Sequence, residues 1–302
     1  MARMDAAGDR SPLGAGLPAP AAAGIVVAGL VAQEVGAAMA VWLFPQAGPI
    51  GTVMLRLIFG AAVLWVVARP RLRGHTARAW RAVGLLALAL AVMNASYYLA
   101  LARLPLGVTV TIEVLGPLAL SVATARRRAA WLWAALALTG VVLLAGGGWE
   151  RLDPIGVAFA LGAAAMWALY IVSSARVGRE FSQLDGLALA MAIGAVVMVP
   201  FGVLDAGSAL LRPEVLALAL AVAVLSSALP YALELIALRS LTASAFGVLM
   251  ALAPATATLA GFVLLGQHMS IVELAGIVLV VAASIGAVRS TRRPPDVAPP
   301  PA

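Results

Sequence analysis

The chain has 302 residues, of which 63% are apolar and 11% charged, with a mean hydropathy of +1.04, a usage far from that of soluble globular domains. It contains no cysteine, so disulfides and thiol chemistry are excluded. The formal charge of +7 rests on arginine alone, and arginines flanking apolar blocks serve as orientation signals for membrane spans, so no nucleic-acid partner is expected.

Residues 1–22, MARMDAAGDRSPLGAGLPAPAA, are rich in proline, glycine and alanine with mixed charge and read as a disordered cytosolic tail. The apolar segment behind them is long enough to span, which favours a retained first helix over a cleaved signal peptide. A spanning helix needs roughly 20 mostly apolar residues. Such stretches occur at 23–44, 50–68, 81–101, 105–124, 129–146, 154–175, 186–204, 214–237, 241–264 and 271–288. Residues 289–302, ending in RRPPDVAPPPA, cannot continue a helix and read as a second disordered cytosolic tail. Continuous Leu- and Ala-rich blocks lack the alternation that barrel strands require, so the expected fold is an all-α membrane protein of ten transmembrane helices in a lipid bilayer.

Sixteen arginines fall on one side of these spans, including Arg69, Arg71, Arg73, Arg78, Arg81, Arg176, Arg179 and Arg289. Only Arg103, Arg151 and Arg212 fall on the other, with Arg56 inside a span. The positive-inside rule therefore predicts that both termini are cytoplasmic. His75 and His268, the two histidines, fall in loops, and no metal site is expected.

An internal repeat appears at half length. ALARLPLGVTVTIEVLGPLAL (100–120) aligns without gaps to ALRSLTASAFGVLMALAPATA (237–257), matching Ala100, Leu101, Leu104, Leu115 and Pro117. Each segment begins the fourth helix of its half and ends in a small residue plus proline. An odd number of helices per half inverts the second, so residues 23–146 and 154–288 are expected to form two inverted five-helix repeats, an arrangement of many secondary transporters.

The ionisable residues inside spans are Glu34, Arg56, Glu113 and Glu234. An ionised side chain at a helix centre costs roughly 2.5–3.5 kcal/mol on insertion scales, so chance placement is disfavoured. Two readings compete for Glu34, Arg56 and Glu113, an interhelical ion pair and a substrate or coupling site. Glu234 either gates the path or snorkels to the interface. Three carboxylates and one guanidinium in a single cavity would leave two negative charges uncompensated, so at least one carboxyl would be protonated or awaiting a cation. Gly116-Pro117 and Ala253-Pro254 interrupt corresponding helices, as Pro230 loosens the helix of Glu234, and such breaks free carbonyls one turn earlier. Matching breaks point to a midplane site, with a packing kink as the alternative. Asn94, Tyr97 and Tyr98, with Tyr231, could give hydrogen bonds to a polar substrate.

The strings MLRLIFGA, MNASYYLAL, PLGVTVTIEVLGPLAL, LSSALPYALELIAL and FGVLMALAP give the chain its resemblance to a known family. It resembles the EamA-type branch of the drug/metabolite transporter superfamily, most closely the threonine/homoserine exporter group, over essentially the whole length between the tails. The resemblance implies two inverted EamA repeats, a central substrate path and export of small amino acids across the plasma (inner) membrane by alternating access. Proton coupling, no cofactor and no enzymatic activity are expected. Proteins of that group often carry a lysine late in helix one and an acidic residue before the helix-nine proline, where this chain has Val41 and Ala253. The alternatives are a transporter of another metabolite or drug on the same architecture and a polytopic membrane enzyme, for which no nucleophile-base pair, metal cluster or phosphate loop stands out in the spans.

Overall fold

The computed structural model describes residues 18–124, 129–144, 152–181, 183–237, 240–241 and 243–290. The described residues contain helices and short connections and no strand. Among them six helical stretches are long and apolar enough to cross a membrane, and Leu106–Leu120, Trp131–Leu143 and Ile271–Gly286 are shorter apolar helices. Arg126, Arg127, Arg128, Arg151 and Arg239, together with most of the two tails, lie outside the described residues.

Helix α1 (Ala19–Ala68) begins inside the stretch read as tail and joins the first two expected spans. Its 50 residues would be about 75 Å long if straight, more than twice the hydrocarbon thickness, so the rod has to bend. It bends at Gly48 (φ 67°, ψ 166°), between Pro45 and Pro49, where a side chain would collide with the Asp205 carboxylate. That carboxylate accepts from Ile50 N (2.8 Å) and Gly51 N (3.1 Å), so a residue from a distant helix caps the second arm of α1. The expected gap at 45–49 is thus a capped helix break.

Helix α2 (Ala77–Leu101) starts at Thr76, whose hydroxyl accepts from Ala79 N. After Pro105 come α3 (Leu106–Glu113) and α4 (Leu115–Thr124), then α5 (Ala129–Leu144). Helix α6 (Pro154–Val177) is capped by Asp153, which accepts from Ile155 N and from the Arg103 guanidinium at 3.0 Å. The Arg103 bond holds the Asp153 carboxyl below the usual carboxylate range, and the two residues tie the end of α2 to the start of α6.

Helix α7 (Gln183–Ala206) is followed by α8 (Pro213–Ala223), a π-turn at Val224–Ala228 and α9 (Leu229–Ala237) as one interrupted rod. Last come α10 (Ala243–Met250), α11 (Ala253–Leu265) and α12 (Ile271–Ser290). In the register that aligns 100–120 with 237–257, α3 and α10 begin and end at equivalent residues. The most extensive helix pairings, α1 with α7, α2 with α6 and α5 with α12, all join the first half of the chain to the second.

The helix interruption near Gly116-Pro117 lies at Val114, since Pro117 has no N–H for the Glu113 carbonyl. Gly116 answers to packing, because a Cβ there would overlap the Ala164 carbonyl of α6. Overpacking of this kind costs about 1–3 kcal/mol. Gly116→Ala should therefore lower the thermal midpoint of the purified protein in detergent. Gly84→Ala, where a Cβ meets nothing within 4 Å, should leave it unchanged or slightly raised.

Candidate functional site

Arginine in an apolar slab survives only if its five donors find acceptors, and regular helices have none to spare. Arg56, on the second arm of α1, reaches three that are available. Its Nη1 donates to Asn94 Oδ1 on α2 (2.6 Å), its Nη2 to the Ser226 carbonyl (3.0 Å) and its Nε to Ser227 Oγ (3.2 Å). Pro230, four residues after Ser226, cannot donate to that carbonyl, and the π-turn around it displaces the ladder further. The Tyr98 ring lies under the guanidinium, 5.5 Å from Cζ to the centroid, within cation–π range. Asn94 is itself oriented by its amide, which donates to the Leu90 carbonyl (2.8 Å).

This cluster forms part of the wall of a central cavity of about 160 Å³, below the roughly 300–1,000 Å³ of drug-sized pockets. Glu34 from α1, Asn94 and Tyr97 from α2, Glu113 from α3 and Glu234 from α9 line it together with Arg56. Glu34 is 1% exposed, and its Oε2 has no hydrogen-bond partner among the described residues. Glu113 is the last residue of α3, at the break caused by Pro117, and Met250, its counterpart in the aligned register, is the last residue of α10 and lines the same cavity. Pro254 stands to Met250 as Pro117 stands to Glu113.

Of the residues singled out in the sequence, Glu34, Arg56, Asn94, Tyr97, Glu113 and Glu234 thus come to one cavity. Tyr98 lies behind Arg56, fully buried against Phe44 and Tyr97, and its hydroxyl has no hydrogen-bond partner among the described residues. The Tyr231 side chain lies outside what is described. Gly116, Pro117, Pro230 and Pro254 act through backbone and packing at the cavity's edge.

Residues 154–289 match the EamA-like transporter family. The threonine/homoserine exporter RhtA of Salmonella typhimurium (strain LT2) is 39% identical over 266 residues, covering 87% of this chain and 89% of its own length. The protein of the same name from Escherichia coli K12 is 38% identical over 273 residues, covering 89% and 92%. The chain belongs to the EamA-like transporter family. A solved crystal structure 20% identical to it superposes with a TM-score of 0.59 over 88% of this chain and 96% of that one, so the two share a fold. Together with the apolar helices, this makes the protein a multi-pass membrane transporter.

In this EamA-like transporter several cavity residues escaped the sequence reading: Gln33, Met93, Trp167, Tyr170, Ser226 and Met250. One signal could have found two of them. Ser226 and Met250, like Glu113, stand four residues before a proline, where a carbonyl loses its donor. Gln33 and Trp167 carry no such mark, and only helix packing turns them inward.

The Arg56–Asn94 bond is charge-assisted, and removing one partner of such a bond costs about 2 kcal/mol. Asn94→Leu should lower the thermal midpoint accordingly, and Arg56→Met combined with Asn94→Leu should lose less than the sum of the single losses. Additive losses in that cycle would show that the bond is not formed.

Proposed function

We propose that the protein is a secondary transporter that exports a small zwitterionic amino acid, of the threonine or homoserine kind, across the plasma membrane. The observation that carries this reading is the central cavity, where one guanidinium and three carboxylates from three helices line a space of small-molecule size. A zwitterion is the ligand such a lining suits, since Arg56 can take its carboxylate through two parallel bonds and Glu113 its ammonium. Met93, Trp167 and Met250 supply an apolar wall for the substrate side chain. The name of the relatives at 38–39% identity, threonine/homoserine exporter, supports the same substrate class.

In this reading the chain crosses the membrane ten times as two inverted repeats, 23–146 and 154–288, with both termini in the cytoplasm. The equal lengths of α3 and α10 and their matched breaks support the repeat, and the arginine asymmetry supports the orientation. Alternating access then rocks one repeat against the other around the cavity. Proton and substrate ammonium compete for the Glu113 carboxylate, so that inward proton flow drives outward release.

Transport in liposomes loaded with threonine or homoserine tests the assignment. Arg56→Gln should abolish transport while most of the protein stays in the membrane. Glu113→Gln should lose efflux driven by a pH gradient with the fold intact, and Glu113→Asp should keep part of it. Uphill efflux by Glu113→Gln equal to wild type would remove Glu113 from the coupling path. For orientation, an alkaline phosphatase reporter fused after Arg128 should be inactive and one fused after Arg212 active, and the reverse pattern would overturn it.

A further inference from the structure

Outside the central cavity, a concentrated patch of positive charge lies between the start of α2 and the end of α6. Arg78 and Arg81 from α2, and Arg176 and Arg179 from the end of α6, line one concave groove of about 420 Å³, where Glu180 is the single carboxylate. Four guanidiniums around one carboxylate leave three positive charges in excess. The pairing is weak as well as incomplete: Arg78 Nε lies 3.8 Å from Glu180 Oε1, and the Arg78 side chain is 85% exposed, a geometry worth little in water. Arg81 donates through Nε to the Ala77 carbonyl of its own helix at 3.4 Å. The side chains of Arg176 and Arg179 make no hydrogen bond or ion pair with any described residue.

An arginine needed only for orientation has no reason to share a pocket with three others, because like charges repel and spread when nothing holds them together. Planar guanidiniums converging on one space suit a tetrahedral anion that accepts several parallel bonds, which is the geometry of phosphate. The surroundings select its source. From Leu85 in the groove an apolar track runs along the same face of α2 through Leu88 and Val92, both exposed on the outside of the bundle. At this same end of α2 the exposed Trp80 ring meets His75 edge-on (centroids 6.3 Å apart), as aromatic side chains do at the headgroup level. A charged head beside a track for an acyl chain matches an amphiphile.

We propose that this groove is a binding site for the phosphate headgroup of an anionic phospholipid, with an acyl chain lying along the outer face of α2. The site sits on the arginine-rich face, where basic pockets between membrane helices meet anionic headgroups. The bound phosphate bridges α2 and α6, two helices from opposite halves of the chain. It is independent of the central cavity and of the substrate carried there.

The test uses the full chain purified in zwitterionic detergent, with phosphatidylglycerol and phosphatidylcholine of the same acyl composition as probes and native mass spectrometry as readout. Wild type should retain phosphatidylglycerol in about tenfold preference, a difference that two charge-assisted contacts supply. Arg176→Gln/Arg179→Gln should erase the preference. Arg71→Gln/Arg73→Gln, which removes the same charge from the same face outside the groove, should keep it. Glu180→Gln should strengthen retention, a gain that no unfolded variant can produce. Equal loss in the two double variants would assign the effect to diffuse surface charge and overturn the proposal. So would displacement of the lipid by equimolar inorganic phosphate, which would mark a soluble-anion site instead.

Discussion

A half-buried guanidinium between membrane helices sets the terms for the rest of this structure. Arg56 brings five donors into a region where every helical carbonyl is already engaged. Its needs are met from a side chain of α2, a carbonyl and a hydroxyl of the π-turn between α8 and α9, and the face of Tyr98. Two other elements, α2 and the π-turn, are thereby bound to the second arm of α1. Remove the helix interruption after Ser226 and the guanidinium loses an acceptor it cannot replace from the bilayer.

Interrupted helices recur around the cavity. Pro117, Pro230 and Pro254 each deprive the carbonyl four residues earlier of its donor, and the residues concerned, Glu113, Ser226 and Met250, all line the cavity. These helix defects meet at one cavity. Two of these breaks sit at equivalent positions of α3 and α10, yet one ends in a carboxylate and the other in a thioether. Backbone symmetry therefore frames a chemically asymmetric pair of breaks, one carrying a carboxylate and the other an apolar side chain. That asymmetry is what a ligand with a charged head and a distinct side chain requires.

Small residues supply the second constraint. The Gly116 and Gly107 positions let α4 and α3 approach α6 and α11 so closely that a Cβ would overlap Ala164 or Thr258. Without an aqueous hydrophobic effect to press helices together, such close approach is how membrane helices gain packing energy. It also brings the broken ends of α3 near the partner half. The Asp205 cap on the second arm of α1 works similarly, satisfying with one carboxylate two amides exposed by the turn at Gly48.

The sequence by itself determined the class of the protein, because hydropathy, helix length and the cost of a bare backbone in lipid are local and leave little choice. The ionisable residues inside spans were legible for the same reason: Glu34, Arg56, Glu113 and Glu234 are expensive wherever they lie along an apolar helix. Their convergence was not legible, since it depends on which helix faces turn together, and α1 pairs with α7, α8 and α9 only in the tertiary structure. Nor did any local signal announce Trp167 or Gln33 as cavity residues, or join Arg78 and Arg81 to Arg176 and Arg179 across two halves of the chain. The continuous rod of α1, bent at Gly48 and capped by a residue more than 150 positions away, likewise required the fold to supply the cap. Partitioning into lipid is a property of each segment alone, whereas a site is a property of several segments brought face to face, and the packing that does so acts through contacts that one-dimensional periodicity does not record.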